Sequence, residues 1–155
     1  MAVIDLRTEI KAPIGVCFDA ARDIDLHMVS ASKTRERAIA GRTSGLCEAG
    51  DRITWEAFHF GLRQQLTVEI TTLQAPFYFE DRQVKGSFRS MTHKHSFQVR
   101  DGLTLMSDHF EYETPLWPFG ALFDALVLKR YMARFLVERN AVLKKICEER
   151  ARSLA

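Results

Sequence analysis

The residues around Asp101-Gly102 constrain the fold more than any other stretch. Asp-Gly between two runs of alternating apolar and polar residues is the strongest short-range signal for a two-residue hairpin, because both central positions of that turn take positive φ. Pairing Arg100 with Leu103 then sets the whole register. Val99 faces Thr104, Phe97 faces Met106, His95 faces Asp108, His93 faces Phe110 and Met91 faces Tyr112. The other side of the ribbon carries Thr92, Lys94, Ser96 and Gln98 against Glu111, His109, Ser107 and Leu105. The first face reads as buried and the second as solvated. The buried face is odd in one respect: it sets an imidazole directly across from a carboxylate.

The remaining elements are read around this hairpin. Residues 2 to 11 alternate as a half-buried strand with Ala2, Ile4, Leu6, Thr8 and Ile10 on one side. Pro13 opens a short helix over 13–21, and Asp23 caps a second that carries Ile24, Leu26, His27 and Met28. Ser30 to Arg37 reads as a polar loop, and Arg37 to Glu48 as a strand interrupted at Thr43-Ser44-Gly45. Strands over 52–59 and 63–73 follow, joined by a turn at Phe60-Gly61 or Gly61-Leu62; either choice points Trp55 inward. Phe77 to Lys85 forms the strand before the hairpin. Pro115 and Pro118 stop the last strand, and from about Phe119 to Arg150 the pattern turns helical. Leu122, Phe123, Leu126, Val127, Phe135, Leu136, Leu143 and Ile146 fall on its apolar face.

The order is therefore strand, two short helices, six strands and a long helix. Short turns make consecutive strands antiparallel, and a meander of that kind curls around a helix to hide its apolar face. The expectation is an α+β fold, a curved seven-stranded antiparallel sheet around a C-terminal helix, with residues 1–155 as one domain.

At 155 residues the chain is long enough to bury a real core, and eleven Phe residues point to an aromatic interior. The formal charge of +2 and the scattered arginines give no reason to expect nucleic acid as a partner. No apolar run approaches the roughly 18 residues of a membrane span. The three cysteines include no C-x-x-C pair and no N-terminal signal pattern is seen, so the expected location is the cytoplasm.

His93 and His95 share a strand face, an arrangement that can bind metal if Asp108 supplies a third ligand. The alternative is that Asp108 satisfies the His95 ring inside a tight interior, since an unpaired buried charge is expensive. No metal or other cofactor is expected on this basis. His59 reads as a solvated rim residue, His27 as packed near a cavity mouth and His109 as outward facing. No G-x-S-x-G, P-loop or G-x-G-x-x-G motif occurs.

The segment Gly86-Ser87-Phe88, Met91, His93, His95, Phe97, Asp108, Tyr112 and Pro115, with Ala40 to Gly45 and Thr54-Trp55, resembles a bacterial ligand-binding subgroup of the START-like (SRPBCC, helix-grip) superfamily. Two departures stand out: Ser87 in place of Pro and Met91 in place of Trp. The resemblance covers the whole chain and implies a cavity between sheet and long helix for a hydrophobic or amphipathic molecule such as a lipid, polyketide or isoprenoid. Trp55, Phe79, Phe88, Met91, His93, His95, Phe97, Met106, Asp108, Phe110, Tyr112, Phe123 and Val127 are the residues expected to line it. Fold alone does not settle function. Non-enzymatic binding is the leading expectation. A polyketide cyclase or dehydrase using His95 with Asp108 or Tyr112 as acid and base is the alternative. A regulatory interaction module with a vestigial cavity is the third. A cavity of roughly 300 Å³ or more separates the first two from the third.

Overall fold

A computed structural model describes all 155 residues. Seven strands form one antiparallel sheet in the order β1-β7-β6-β5-β4-β3-β2. They are β1 (Ala2–Ile10), β2 (Arg37–Gly41), β3 (Arg52–His59), β4 (Leu62–Gln74), β5 (Tyr78–Lys85), β6 (Ser90–Arg100) and β7 (Leu103–Glu113). Helices α1 (Ile14–Ala21) and α2 (Ile24–Ser30) follow β1, and a single 3₁₀ turn spans Ser32–Thr34. After β7 come α3 (Phe119–Phe123), a π-helical turn (Asp124–Leu128) and α4 (Lys129–Leu154). This is the helix-grip architecture.

The β6–β7 register is the one that the Asp-Gly turn dictates, with His95 opposite Asp108 and Met91 opposite Tyr112. Asp101 and Gly102 have φ of 52° and 76°, the mirror-image turn that suits the twist of paired strands. Phe60 and Gly61 repeat the device at the β3–β4 turn, with φ of 53° and 72°, pairing Trp55 with Leu66. Asp23 caps α2, its Oδ1 accepting from the backbone of Asp25 at 3.0 Å and Leu26 at 3.2 Å.

Two expectations change. The second strand ends at Gly41, where φ is +72° and a Cβ would stand 2.0 Å from the Arg52 carbonyl oxygen. Residues 42 to 50 form no strand: Leu46 bridges to Asp23 at the start of α2, and the segment is tied to the sheet at its two ends, where Arg42 N–H bonds the Arg52 carbonyl and Gly50 N–H the Ile70 carbonyl, both at 2.8 Å. The apolar face of the last helix is also split. Leu122, Phe123, Leu126 and Val127 are exposed, whereas Met132, Leu136, Leu143 and Cys147 are buried against the sheet. The wider π turn, which carries Leu126 and Val127, breaks the helical phase, so the apolar positions up to and within it do not share a face with those of α4.

The core has two parts. Ala2, Ile4, Ile24, Ile53, Trp55, Val68, Ile70, Met91, Phe110, Tyr112, Met132 and Leu136 belong to the first. Ile10, Cys17, Phe18, Phe79, Phe97, Met106, Leu143 and Cys147 fill the end nearer α1. Burying a Phe, Leu or Met fully is worth about 1.5–3 kcal/mol, so both clusters contribute materially. The cavity lies within the first.

Candidate functional site

The polar centre of the interior is built from alternate residues of three neighbouring strands. On β6, the period of two turns His93 and His95 to the same face, and their rings approach to 3.9 Å between centroids. Cross-strand neighbours supply the carboxylates: Asp108 on β7 opposite His95, and Asp81 on β5 opposite His93. His93, His95 and Asp108 are all more than nine-tenths buried.

Asp108 is the hub. Its Oδ1 stands 3.0 Å from His93 Nε2 and 2.9 Å from His95 Nδ1, while its Oδ2 accepts from Asn140 Nδ2 at 2.6 Å. The His95 contact lies off the N–H line, so it acts as an ion pair more than as a linear hydrogen bond. His95 Nε2 points the other way, 3.4 Å from Asp81 Oδ1. Phe79 stacks on the His95 ring with centroids 4.2 Å apart.

The electrostatics follow from these contacts. Burial pulls the His95 pKa down, but the bonds to Asp108 and Asp81 outweigh it and hold it above the ordinary imidazole value. Burial, joined by the neighbouring His95 charge, pushes His93 down to about 4. Burial raises the Asp108 carboxyl, and the two imidazoles overcome this to hold it well below its usual range. Asp81 is likewise lowered, against the effect of burial, chiefly by its bond to His95. The raised His95 pKa favours the imidazolium, which turns its Nδ1–H toward Asp108 and its Nε2–H toward Asp81, while the lowered His93 favours the neutral ring that donates from Nε2 to Asp108.

The centre opens on a cavity of about 110 Å³ bounded by β3 to β7, α1, α2 and α4. Of the expected wall residues, Trp55, Phe79, Phe88, Met91, His93, His95 and Phe110 line it. The others lie elsewhere. Asp108 sits behind the histidines, out of the cavity. Phe97 and Met106 are packed in the second core cluster, because their position along the hairpin carries them past the cavity floor. Tyr112 is 1% exposed and donates its hydroxyl to Asp124, which together with burial raises its pKa, so it does not reach the cavity as an acid or base. Phe123 lines an outer groove, and Val127 is exposed on the π turn.

Five further polar residues line the cavity: Arg22, Asp23, His27, Glu36 and Arg139. His27 stacks on Trp55 at 4.2 Å, and its Nε2 stands 3.0 Å from Glu36 Oε1. Burial raises the Glu36 carboxyl, but His27, joined by His59 and Arg139, outweighs it and the net shift is downward. Glu36 was hidden in sequence by its polar neighbours, which read as a loop. Arg139 had a legible signal: it lies three residues after Leu136 and four before Leu143, on the buried stripe of α4. His59 borders the outer groove, at the rim as expected, but is half-buried, its Nδ1 2.7 Å from the Tyr131 hydroxyl oxygen. His109 does face outward, against Asp5.

Beyond the inner cavity, a neck of about 60 Å³ shares Glu36, Trp55, Leu66 and Phe88 with it. An outer groove of about 390 Å³, lined by Phe60, Phe88, Leu116, Phe119, Phe123 and Tyr131 among others, shares Phe88, His59, Gln64 and Ser87 with the neck. Phe88 borders all three spaces. For metal, Asp81, His93 and His95 each offer a ligand atom within 4.8 Å of the others. Asp108 already engages one nitrogen of each histidine, an orientation that also suits metal ligands.

No protein-family model and no curated protein matches the sequence. Solved structures match over nearly its full length. A protein from Thermus thermophilus superposes with a TM-score of 0.76 at 16% identity, covering 93% of this chain and 95% of that one. A START superfamily protein from Mycobacterium smegmatis gives 0.65 at 13% identity, covering 99% of both. The major latex-like protein of Panax ginseng gives 0.62 at 15%, covering 94% and 97%. At such identities the likeness is one of fold. The chain has the helix-grip fold of these START-like structures.

Proposed function

We propose that this protein binds a small amphipathic molecule, with the polar end of the ligand at the His95 and Arg139 floor and its apolar part toward Phe88 and the outer groove. The observation that carries this is the composition of the cavity wall: 15 of its 23 lining residues are hydrophobic, and the polar ones gather around buried, mutually fixed groups. A few convergent polar groups in an apolar pocket are what orient a ligand. The inner cavity of about 110 Å³ falls short of the expected roughly 300 Å³. That is less than the engineered cavity of about 150 Å³ that takes benzene, so the inner cavity by itself holds no more than a small polar head group or part of a ring. A longer ligand needs the neck and groove as well, and Phe88 must turn aside to join them.

Catalysis by His95 is the second reading, favoured because the imidazole does line the cavity. Against it, both ring nitrogens face carboxylates, which leaves no free lone pair for a substrate proton. No helix of the chain is long and apolar enough to cross a membrane, and a cytoplasmic carrier or sensor fits this reading. Native mass spectrometry of protein isolated gently from its own host tests the proposal. A bound small molecule that denaturation releases is the expected result. A ligand-free mass, with no binding across a panel of aromatic and aliphatic compounds, would overturn it.

A further inference from the structure

Arg139 is the cavity group whose chemistry is left unfinished. It projects from the buried stripe of α4 into the cavity and is only 6% exposed. Its guanidinium makes no salt bridge and donates no hydrogen bond within the protein. The other charged groups on the same wall do have partners. Glu36 faces His27 at 3.0 Å, Asp81 faces His95 at 3.4 Å, and Arg22 bonds Glu48 at 2.7 Å and Asp19 at 2.8 Å. A guanidinium that lines the cavity with no protein acceptor, its charge balanced only through space by Glu36 and Asp81, has five donors open to an acceptor that arrives from outside the fold.

We infer that Arg139 is the anchor for an acidic group on the ligand, and that the cavity takes small organic acids with an aromatic or aliphatic body. A carboxylate matches the planar fork of a guanidinium, forming two parallel hydrogen bonds. Sulfonate and phosphate ends share that chemistry. Glu36 and Asp81 on the same wall repel an anion, which fixes its orientation: the acid must turn toward α4, and the apolar body then lies along Trp55 and Met91. The inference rests on the binding reading above and adds the ligand class.

The test uses acid and amide pairs that differ in charge and not in shape: phenylacetate with phenylacetamide, octanoate with octanamide, and 2-naphthoate with 2-naphthamide. Binding is read from the amide resonances of cavity residues in the full chain. For at least one pair the acid should bind about tenfold or more tightly than its amide, a difference of about 1.4 kcal/mol. Arg139→Gln should abolish the preference, bringing the acid to within about threefold of its own amide in the same variant. Arg139→Lys, which keeps charge without the fork, should retain part of it. Because the native cation has no internal partner, both variants are expected to fold; were Arg139→Gln not to, the native acid-to-amide ratio and Arg139→Lys would still decide. Equal affinity for acid and amide, or a preference that survives Arg139→Gln, overturns the acid anchor and leaves the binding reading standing. If no member of any pair moves the cavity resonances, the binding reading falls as well.

Discussion

His95 Nδ1 lies 2.9 Å from Asp108 Oδ1, across a directly opposed pair of the β6–β7 ladder in the middle of the interior. Asp108 also receives His93 and Asn140. Removing the carboxylate strands three polar partners in a site with almost no access to water. Breaking such a buried pair costs about 3–5 kcal/mol. Asp108→Ala should therefore lower unfolding free energy by that amount in denaturant titrations. Asp108→Asn, which keeps an acceptor oxygen but not the charge, should cost less. A loss below about 1 kcal/mol for Asp108→Ala would show that the contacts carry little energy.

The same cluster predicts a stability maximum near neutral to mildly acidic pH. His95 has a raised pKa in the fold, so its stabilisation is complete below the ordinary imidazole value of about 6.5 and is lost as pH rises through the raised one. His93, pushed down to about 4, acts in the opposite sense. The unfolded chain binds its proton first, so stability falls as pH drops from about 6.5 toward 4. Asp108 adds a further loss at lower pH still, once its carboxylate is protonated. Thermal unfolding across pH should show both limbs. His95→Gln should remove the upper one, at a net cost in stability, and His93→Gln should flatten the part between about 6.5 and 4.

The raised His95 pKa favours a proton at the centre of the cluster, in competition with any metal ion. A divalent ion at Asp81, His93 and His95 would have to displace the His95 proton and sit in the field of Arg139, which bears on both Asp81 and His95. The expected outcome is that purified protein carries no stoichiometric transition metal and that a chelator leaves its melting temperature unchanged. A melting temperature that rises with zinc, and a displaced proton count near one per site, would reverse this expectation.

Phe88 borders the inner cavity, the neck and the groove while resting against Tyr112 at 5.0 Å and Phe110 at 6.3 Å. Phe88→Ala should merge the three spaces. Ligand exchange should become faster and bulkier ligands should be admitted, at a stability cost below about 3 kcal/mol because the ring is only half buried. Stopped-flow association rates read this directly. Unchanged rates would place the entrance elsewhere.

Strand pairing was legible because the side-chain period of two and the Asp-Gly turn leave one register for the hairpin. His95 with Asp108, and Trp55 pointing inward, followed from that register alone. What escaped was set by packing between elements. Whether Phe97 or Phe79 borders empty space depends on where α1 presses against the sheet, with Phe18 meeting both rings. Phe123 and Val127 were misplaced because nothing in the apolar pattern marks the π turn that exposes them. Asn140 and Arg139 were readable as buried from their spacing along α4, but their charge and polarity argued for the surface. Polar residues on a core stripe are the places where local rules yield to function.

Ligand entry into the cavity between the sheet and α4 is the central claim. Methionine methyl groups report on this point, because Met91 and Met132 line the cavity while Met106 is fully buried in the other core cluster. Methyl-labelled protein titrated with the acid and amide panel should show shifts at Met91 and Met132, with Met106 unmoved. Shifts at Met106, or confined to the exposed Met1, or none at all, would contradict binding in this cavity.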